Sequence, residues 1–171
     1  MMKKVILFLL VAVSFAMMGC APTAKGSSNF DTAYPLKGES VVIVASSHKD
    51  VINFANKVST HLAATLTKQG VNAVAYVKNE ESVALSDNPV VDFAREKNAK
   101  YILVQNFSNV KLLNSALSEF NEELAIIKVE GNTPIWKATI DFQNPMAMGF
   151  GPGVKGAVNK TVEMLKTDGF I

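Results

Sequence analysis

Four residues that could do chemistry follow the first apolar run of the body. Ser46, Ser47, His48 and Asp50 lie within five consecutive positions. Serine, histidine and aspartate form the nucleophilic triads of hydrolases, in which histidine takes the proton of the serine hydroxyl. Triads normally join residues from different loops, and no glycine elbow flanks either serine here. The pattern favours a polar turn that begins a helix, and a hydrolase built on Ser47 and His48 stays as an alternative.

The same turn is also a candidate ligand loop. The preceding run Val41–Ala45 is continuously apolar and mostly β-branched, which is typical of a strand buried on both faces. In open α/β sheets, ligands bind at the carboxyl ends of the strands. A small ligand or a glycan held in a pocket near Ser46–Asp50, by Ser46, Ser47 and His48, is therefore a second hypothesis.

A glycine-rich segment near the C-terminus matches the dinucleotide-binding pattern by letter. Gly151–Gly156 reads GPGVKG and follows a strand-like run, in a place where helix N–H groups could hold a phosphate. However, that strand is the return arm of a predicted hairpin. Only 15 residues follow Gly156, too few for a second strand and a ribose-binding acid. The segment is interpreted as a flexible connector.

Composition argues against metal, cofactor and nucleic-acid functions. The chain of 171 residues has 1 cysteine and 2 histidines, with no acidic cluster beside either histidine. A disulfide framework, a zinc ribbon and an iron–sulfur centre are therefore excluded, and no cofactor is expected. Basic residues number 17 and acidic residues 15. Because two of the lysines, Lys3 and Lys4, belong to the N-terminal signal described next, the body has no basic excess with which to bind nucleic acid.

The N-terminus has the pattern of an export signal. Met1–Lys4 is positively charged, and Val5–Ala16 is apolar at every position except Ser14. A helix of that length would cover roughly 18 Å, which is short of the roughly 30 Å hydrocarbon core of a bilayer. The run is therefore predicted to be a signal-peptide core rather than a spanning anchor.

The chain's cysteine comes directly after this run, in the segment Ala16–Cys20, which reads AMMGC. This segment resembles the signal of bacterial lipoproteins, with Met17 where that family usually has leucine. The resemblance implies cleavage before Cys20, a diacylglyceryl thioether on its sulfur and acylation of its new amino group. Each buried CH₂ contributes about 0.8 kcal/mol, so these chains would hold the protein on a membrane. Ala21, in place of an aspartate, implies the outer membrane.

Residues 21–37 separate this signal from the body. They are rich in small and polar residues, contain two prolines and have no helical or strand periodicity, which is typical of a flexible linker. We therefore expect a signal peptide at 1–19, a lipidated cysteine and flexible linker at 20–37, and a single periplasmic α/β domain at 38–171.

The body alternates strand-like and helix-like patterns. Strands are predicted at Val41–Ala45, Val71–Val77, Tyr101–Phe107, Leu124–Glu130 and Ile135–Phe142, and helices at 51–69, 90–98 and 154–166. Short helices between strands imply right-handed crossovers and parallel pairing. The fold class expected is α/β (α+β), a mixed sheet in the order βαβαββα with helices mainly on one face.

Four segments of the body resemble a group of periplasmic lipoprotein domains. They are the strand and helix between Val41 and Gly70, the junction Ala94–Leu103, the tryptophan-bearing Thr133–Ala138 and the closing Leu165–Ile171. The group includes the penicillin-binding-protein activator lipoproteins, the curli-secretion lipoprotein and the N-terminal domain of the Tol-system β-propeller protein. The resemblance implies a domain that binds other envelope proteins and has no chemistry of its own.

Two apolar segments are candidates for the partner contact. Gln143–Gly153 carries Met146, Met148 and Phe150 among glycines and prolines, and flexible Met-rich surfaces suit partner recognition. Val110–Phe120 carries Leu113 and Leu117 in a long link, which either extends the neighbouring strands or forms an exposed ledge. For the Met-rich segment, the alternative is that its side chains cover one end of the core.

The first hypothesis is therefore a lipid-anchored, non-catalytic periplasmic accessory protein. Its partner would be a cell-envelope protein concerned with assembly, secretion or the regulation of peptidoglycan synthesis. An exposed edge strand would also allow pairing with a copy of the same chain, so a homo-oligomer stays open.

Overall fold

A six-stranded mixed sheet is the centre of the fold. The computed structural model describes residues 21–77, 88–147 and 149–171. Its elements are β1 (Thr23–Asn29), β2 (Ser40–Ser46), α1 (Ile52–Lys68), β3 (Asn72–Tyr76), α2 (Pro89–Glu96), β4 (Tyr101–Leu113), β5 (Ala116–Lys128), β6 (Thr133–Gln143) and α3 (Gly151–Thr167). The α/β class predicted from the sequence is confirmed.

The strands lie in the order β1-β6-β5-β4-β2-β3. β2 pairs parallel with β3 and β4, and the other pairs are antiparallel. All five predicted strands are present as β2 to β6, and β1 is the strand that was not predicted. The order βαβαββα counts four strands, so it also omits one of the three that follow α2. The parallel pairing expected of the crossover strands is present.

Residues 23–29 form an edge strand, so the prediction of a flexible linker is wrong for them. β1 pairs with β6 over its whole length, from Thr23 opposite Gln143 to Asn29 opposite Lys137. Leu36, also in the expected linker, is fully buried. Its N–H donates to the carbonyl of Phe170 at 2.8 Å. The body therefore begins close to residue 23.

Helices cover the two faces of the sheet unequally. α1 and α3 pack on one face over the main core, whose largest fully buried side chains include Trp136, Phe107, Phe120, Phe142 and Phe170. α2 packs on the opposite face over a smaller core of Val42, Ala94, Ala99 and Ile102. Two of the three helices thus share a face, as expected.

Local signals explain several element ends. The Asn88 side chain accepts a hydrogen bond from Val91 N–H at 3.3 Å, and Pro89 opens α2, as the sequence predicts. Gly70 ends α1 with φ +89°, where glycine is favoured. α1 begins at Ile52, one residue after the predicted start, behind a 3₁₀ turn at Lys49–Val51, and no side chain caps either.

The segment Val110–Phe120 extends the neighbouring strands and is not a loose link. β4 and β5 form a long hairpin whose two-residue turn is Asn114-Ser115. Both turn residues have positive φ, 50° and 61°. That is the type I′ geometry which matches the twist of a tight hairpin.

Candidate functional site

On the sheet face opposite α1 and α3, α2 covers the first part of β4 around Ile102. The rest of β4, together with β5, β6 and β1, is not covered by a described helix, and we call this area the open face. Its exposed side chains, which alternate with core-facing ones along each strand, include Ser27, Asn29, Asn106, Glu123, Lys137 and Thr139. These residues line a shallow groove of about 540 Å³, together with Ser28, Val104, Leu124, Ala125 and Ala138.

Hydrogen bonds between strands hold the polar side chains of the open face in place. The hydroxyls of Ser27 and Thr139 lie 3.1 Å apart. Ser46 Oγ donates to Asn106 Oδ1 at 3.0 Å. Nearer the β4–β5 turn, the Asn121 side-chain amide donates a hydrogen bond to the Asp141 carboxylate. The open face is therefore a preorganised array of hydroxyl, amide and charged groups, suited to binding a polar surface.

The proposed ligand loop, Ser46–His48, is hydrogen-bonded to β4. Ser47 Oγ donates to the carbonyl of Phe107 at 3.4 Å, and His48 is exposed at the start of the 3₁₀ turn. In the described structure the Ser47 hydroxyl thus bonds to backbone and not to the histidine. The geometry does not support the hydrolase hypothesis. Ser46 is the loop residue that reaches the open face, through Asn106.

The candidate partner residues have different environments. Leu113 and Met146 are exposed, and so is Leu112. Phe150 is half-buried, with its ring 6.0 Å from that of Phe54. Leu117 has no exposed surface, so it belongs to the core and is wrong as a contact residue. Met148 lies outside the described residues.

The glycine-rich segment forms the first turns of α3, so its interpretation as a flexible connector is wrong. A Cβ on Gly153 would lie 2.1 Å from Leu117 Cδ2, and one on Gly156 would lie 2.6 Å from the Phe142 ring. Because these positions have no side chain, α3 can pack directly on the sheet. The glycines therefore serve close packing of helix on strand.

Sequence reasoning missed the buried polar pair Glu122 and Gln105. Both are fully buried, and Gln105 Nε2 donates to Glu122 Oε1 at 2.6 Å. Burial raises the pKa of the Glu122 carboxyl to about 8. The alternation of Phe120, Glu122 and Leu124 was a signal that this carboxylate points inward.

Residues 21–77, 88–147 and 149–171 contain neither a cluster of metal-ligating side chains nor a membrane-spanning helix. Within these ranges no three His, Cys, Asp or Glu residues are grouped so that they could hold a metal ion. Nor does any helix there combine the length and apolarity needed to cross a membrane.

The expected signal peptide and Cys20 lie outside the described residues. The described chain starts at Ala21, and β1 starts at Thr23, three residues after Cys20. At about 3.6 Å per residue, these three residues reach about 11 Å. Any anchor on Cys20 would therefore be held close to the sheet end at which β1 begins.

Comparison with known proteins finds relatives of the fold. No protein family and no curated protein matches the sequence. The PelC dodecamer from Paraburkholderia phytofirmans matches with a TM-score of 0.60 at 14% identity, over 84% of this chain and 97% of PelC. A lipoprotein, GNA1162 from Neisseria meningitidis, matches at 0.47 and 9% identity, over 75% of this chain and 99% of its own. TolB from Acinetobacter baumannii matches at 0.38 and 11% identity, over 84% of this chain and 32% of TolB. This chain thus has the fold of the PelC subunit.

Proposed function

We propose that this chain is a lipid-anchored, non-catalytic accessory protein of the bacterial cell envelope, bound to the periplasmic face of the outer membrane. It acts by binding another envelope protein through the open face. The observation that carries the proposal is the open face itself, where the side chains of four strands form a fixed polar surface that no described helix covers.

The chemistry of the open face supports a protein partner. Glu123 and Lys137 supply charges of both signs, and Asn106, Thr139 and Ser27 supply amide and hydroxyl groups. Protein interfaces combine hydrogen bonds with complementary charges of this kind. Interstrand hydrogen bonds already hold several of these side chains, so little conformational entropy is lost when a partner binds.

The position of Cys20 supports the anchored state. The short stretch between Cys20 and β1 would keep the body against its membrane and would leave the open face accessible from the side. The shared fold with a PelC dodecamer supports self-association as a further kind of contact.

A small-ligand or glycan binder is the second candidate function. The groove on the open face, about 540 Å³, is within the roughly 300–1,000 Å³ range of ligand pockets. Its hydroxyl and amide lining would suit the hydroxyl groups of a sugar. This candidate now rests on the groove rather than on the turn at Ser46–Asp50.

Photocrosslinking in intact envelopes tests the proposal. A photoreactive amino acid replaces Glu123 on the open face or, as a matched control, the exposed Lys57 on α1. We expect a protein adduct from position 123 that is absent at 57, reduced by Lys137→Glu and retained in Lys137→Arg. Equal labelling at both positions, or none at 123, would overturn the proposal. An adduct with carbohydrate would favour the second candidate instead.

A further inference from the structure

Three large apolar side chains are exposed at one end of the sheet, and we call them the tip patch. They are Leu112, Leu113 and Met146, with exposed fractions of 46%, 53% and 55%. Leu112 and Leu113 are consecutive in β4 and therefore lie on opposite faces of the hairpin. Leu112 and Leu113 line one cavity with Pro145, the residue before Met146. The loop that carries Met146 therefore lies against this strand end, and grouped exposed apolar side chains mark contact sites.

The strand register places the tip patch at the same end of the sheet as Thr23, the third residue after Cys20 in the sequence. Lys111 lies opposite Glu119, Glu119 opposite Gln143, and Gln143 opposite Thr23. These residues form one row across four strands. With neighbouring strands about 4.8 Å apart, Thr23 is about 14 Å from Lys111. The apolar tip follows Lys111 directly, while Cys20 precedes Thr23 by three residues.

Hydrogen bonds connect the loop that carries Met146 to the β4–β5 hairpin that carries Leu112 and Leu113. The Asn144 N–H donates to the carbonyl of Ser118 at 2.7 Å, and its side-chain amide donates to that of Leu117 at 3.2 Å. Leu117 N–H in turn donates to Gly149 O at 3.3 Å. These bonds fasten the loop that carries Met146 to the β4–β5 hairpin, so the three side chains keep a fixed relation to the sheet.

We propose that the tip patch inserts into the interfacial layer of the membrane that holds acylated Cys20, an inference that rests on the proposed lipid anchor. The bilayer is the occupant because the anchor brings lipid to this end of the body. Lys111 and Glu119, an exposed ion pair 2.8 Å apart, would then lie at the level of the polar headgroups. The strands then stand upright on the membrane, and the open face turns sideways.

Depth-dependent quenching tests this orientation. Full-length acylated protein is reconstituted in vesicles of phosphatidylethanolamine and phosphatidylglycerol. Because the Cys20 sulfur is blocked by its thioether, Leu113→Cys or Met146→Cys supplies a free thiol for a polarity-sensitive fluorophore. Asn132→Cys, in the exposed turn at the other end of the sheet, is the matched control. We expect nitroxide lipids to quench positions 113 and 146 several-fold more than 132, with a blue shift only at the first two.

Further measurements separate the outcomes. The mass of the N-terminal peptide reports acylation: an unmodified Cys20 overturns both the anchor and the orientation, whereas an acylated Cys20 with equal quenching at 113 and 132 overturns the orientation alone. Leu112→Asp combined with Leu113→Asp should reduce quenching at a label on 146 while Trp136 fluorescence stays native. A protein-protein crosslink at 113 without lipid quenching would assign the tip patch to a second copy or a partner, and would overturn the inference.

Discussion

The carboxyl group of Glu122 lies in the main core, between the inward-facing Phe120 and Leu124 of β5. Oε1 accepts the bond from Gln105, while Oε2 has no hydrogen-bond partner among the described residues. Desolvation disfavours the charged form and outweighs the hydrogen bond, so the pKa of Glu122 rises to about 8. At neutral pH the group is therefore mostly protonated, and the core holds a neutral polar pair.

The stability of the protein should consequently depend on this one proton. The unfolded chain releases it near the ordinary value of 4.5 and the folded chain only near 8. Between those values the folded state binds more protons, so the free energy of unfolding falls as pH rises, by on the order of 1 kcal/mol per pH unit. Glu122→Gln should abolish that slope. Denaturant unfolding followed by the fluorescence of Trp136, at several pH values in this window, measures it.

The neighbouring glutamate supplies the control. Glu123 is exposed on the open face, so Glu123→Gln should leave the pH slope unchanged. A slope that survives in Glu122→Gln, or that disappears in Glu123→Gln, would contradict the assignment to Glu122.

At the level of elements, the approach of α3 to β6 depends on two glycines. The Phe142 ring lies where a Cβ of Gly156 would be, and it stacks on Phe120 with ring centroids 4.8 Å apart. Because Phe142 is fully buried and stacked, it has little room to move. Gly151, one turn earlier, has open space around it.

Alanine at these positions should therefore have different effects. Gly156→Ala should lower the free energy of unfolding by about 1–3 kcal/mol, because the methyl group overpacks the Phe142 ring. Gly151→Ala should change it by no more than about 0.5 kcal/mol, because open space surrounds the position while the following Pro152 disfavours a helical residue that has a Cβ. Urea midpoints read by Trp136 fluorescence test the pair. A stabilised Gly156→Ala would show that α3 can move away from the sheet at little cost.

Elements that are specified by their own residue pattern could be predicted from the sequence. Elements that form because of pairing with a strand far away in the chain were missed. Val41–Ala45 is a continuous apolar run, and α1 has apolar residues at helical spacing. Both elements could therefore be predicted from the local sequence. Thr23–Asn29, TAKGSSN, has no such pattern and is a strand because the free edge of β6 offers it a full ladder of backbone partners. The β4–β5 turn was missed because Asn114-Ser115 lacks the glycine that usually marks a type I′ turn.

The open face could not be predicted from the sequence for a related reason. Ser27, Asn106, Glu123 and Thr139 come from four different strands, and their meeting depends on the register of three strand pairs. No spacing along the chain links them. The residue types that attracted attention first, Ser47 and His48, are instead part of a turn attached to β4.

At the scale of the whole molecule, the sheet leaves two edges unpaired within the described chain, β1 and β3. β1 runs away from the Cys20 end, and β3, parallel to β2, runs toward it. When copies stand side by side with the same end on the membrane, β1 of one and β3 of the next are antiparallel and can pair. Such a head-to-tail contact forms a ring if its rotation closes.

We therefore expect the acylated protein, without its signal peptide, to assemble into a multimer. Anchoring gives all copies one orientation and raises their effective concentration, so assembly should be stronger on the membrane than in solution. Sedimentation in mild detergent measures the mass, and a chain that begins at Ala21, which lacks the anchor and keeps the strand edges, should dissociate at higher protein concentration than the acylated form. A monomeric mass for the acylated protein at every concentration would argue against edge pairing and would leave the open face to partners of another kind.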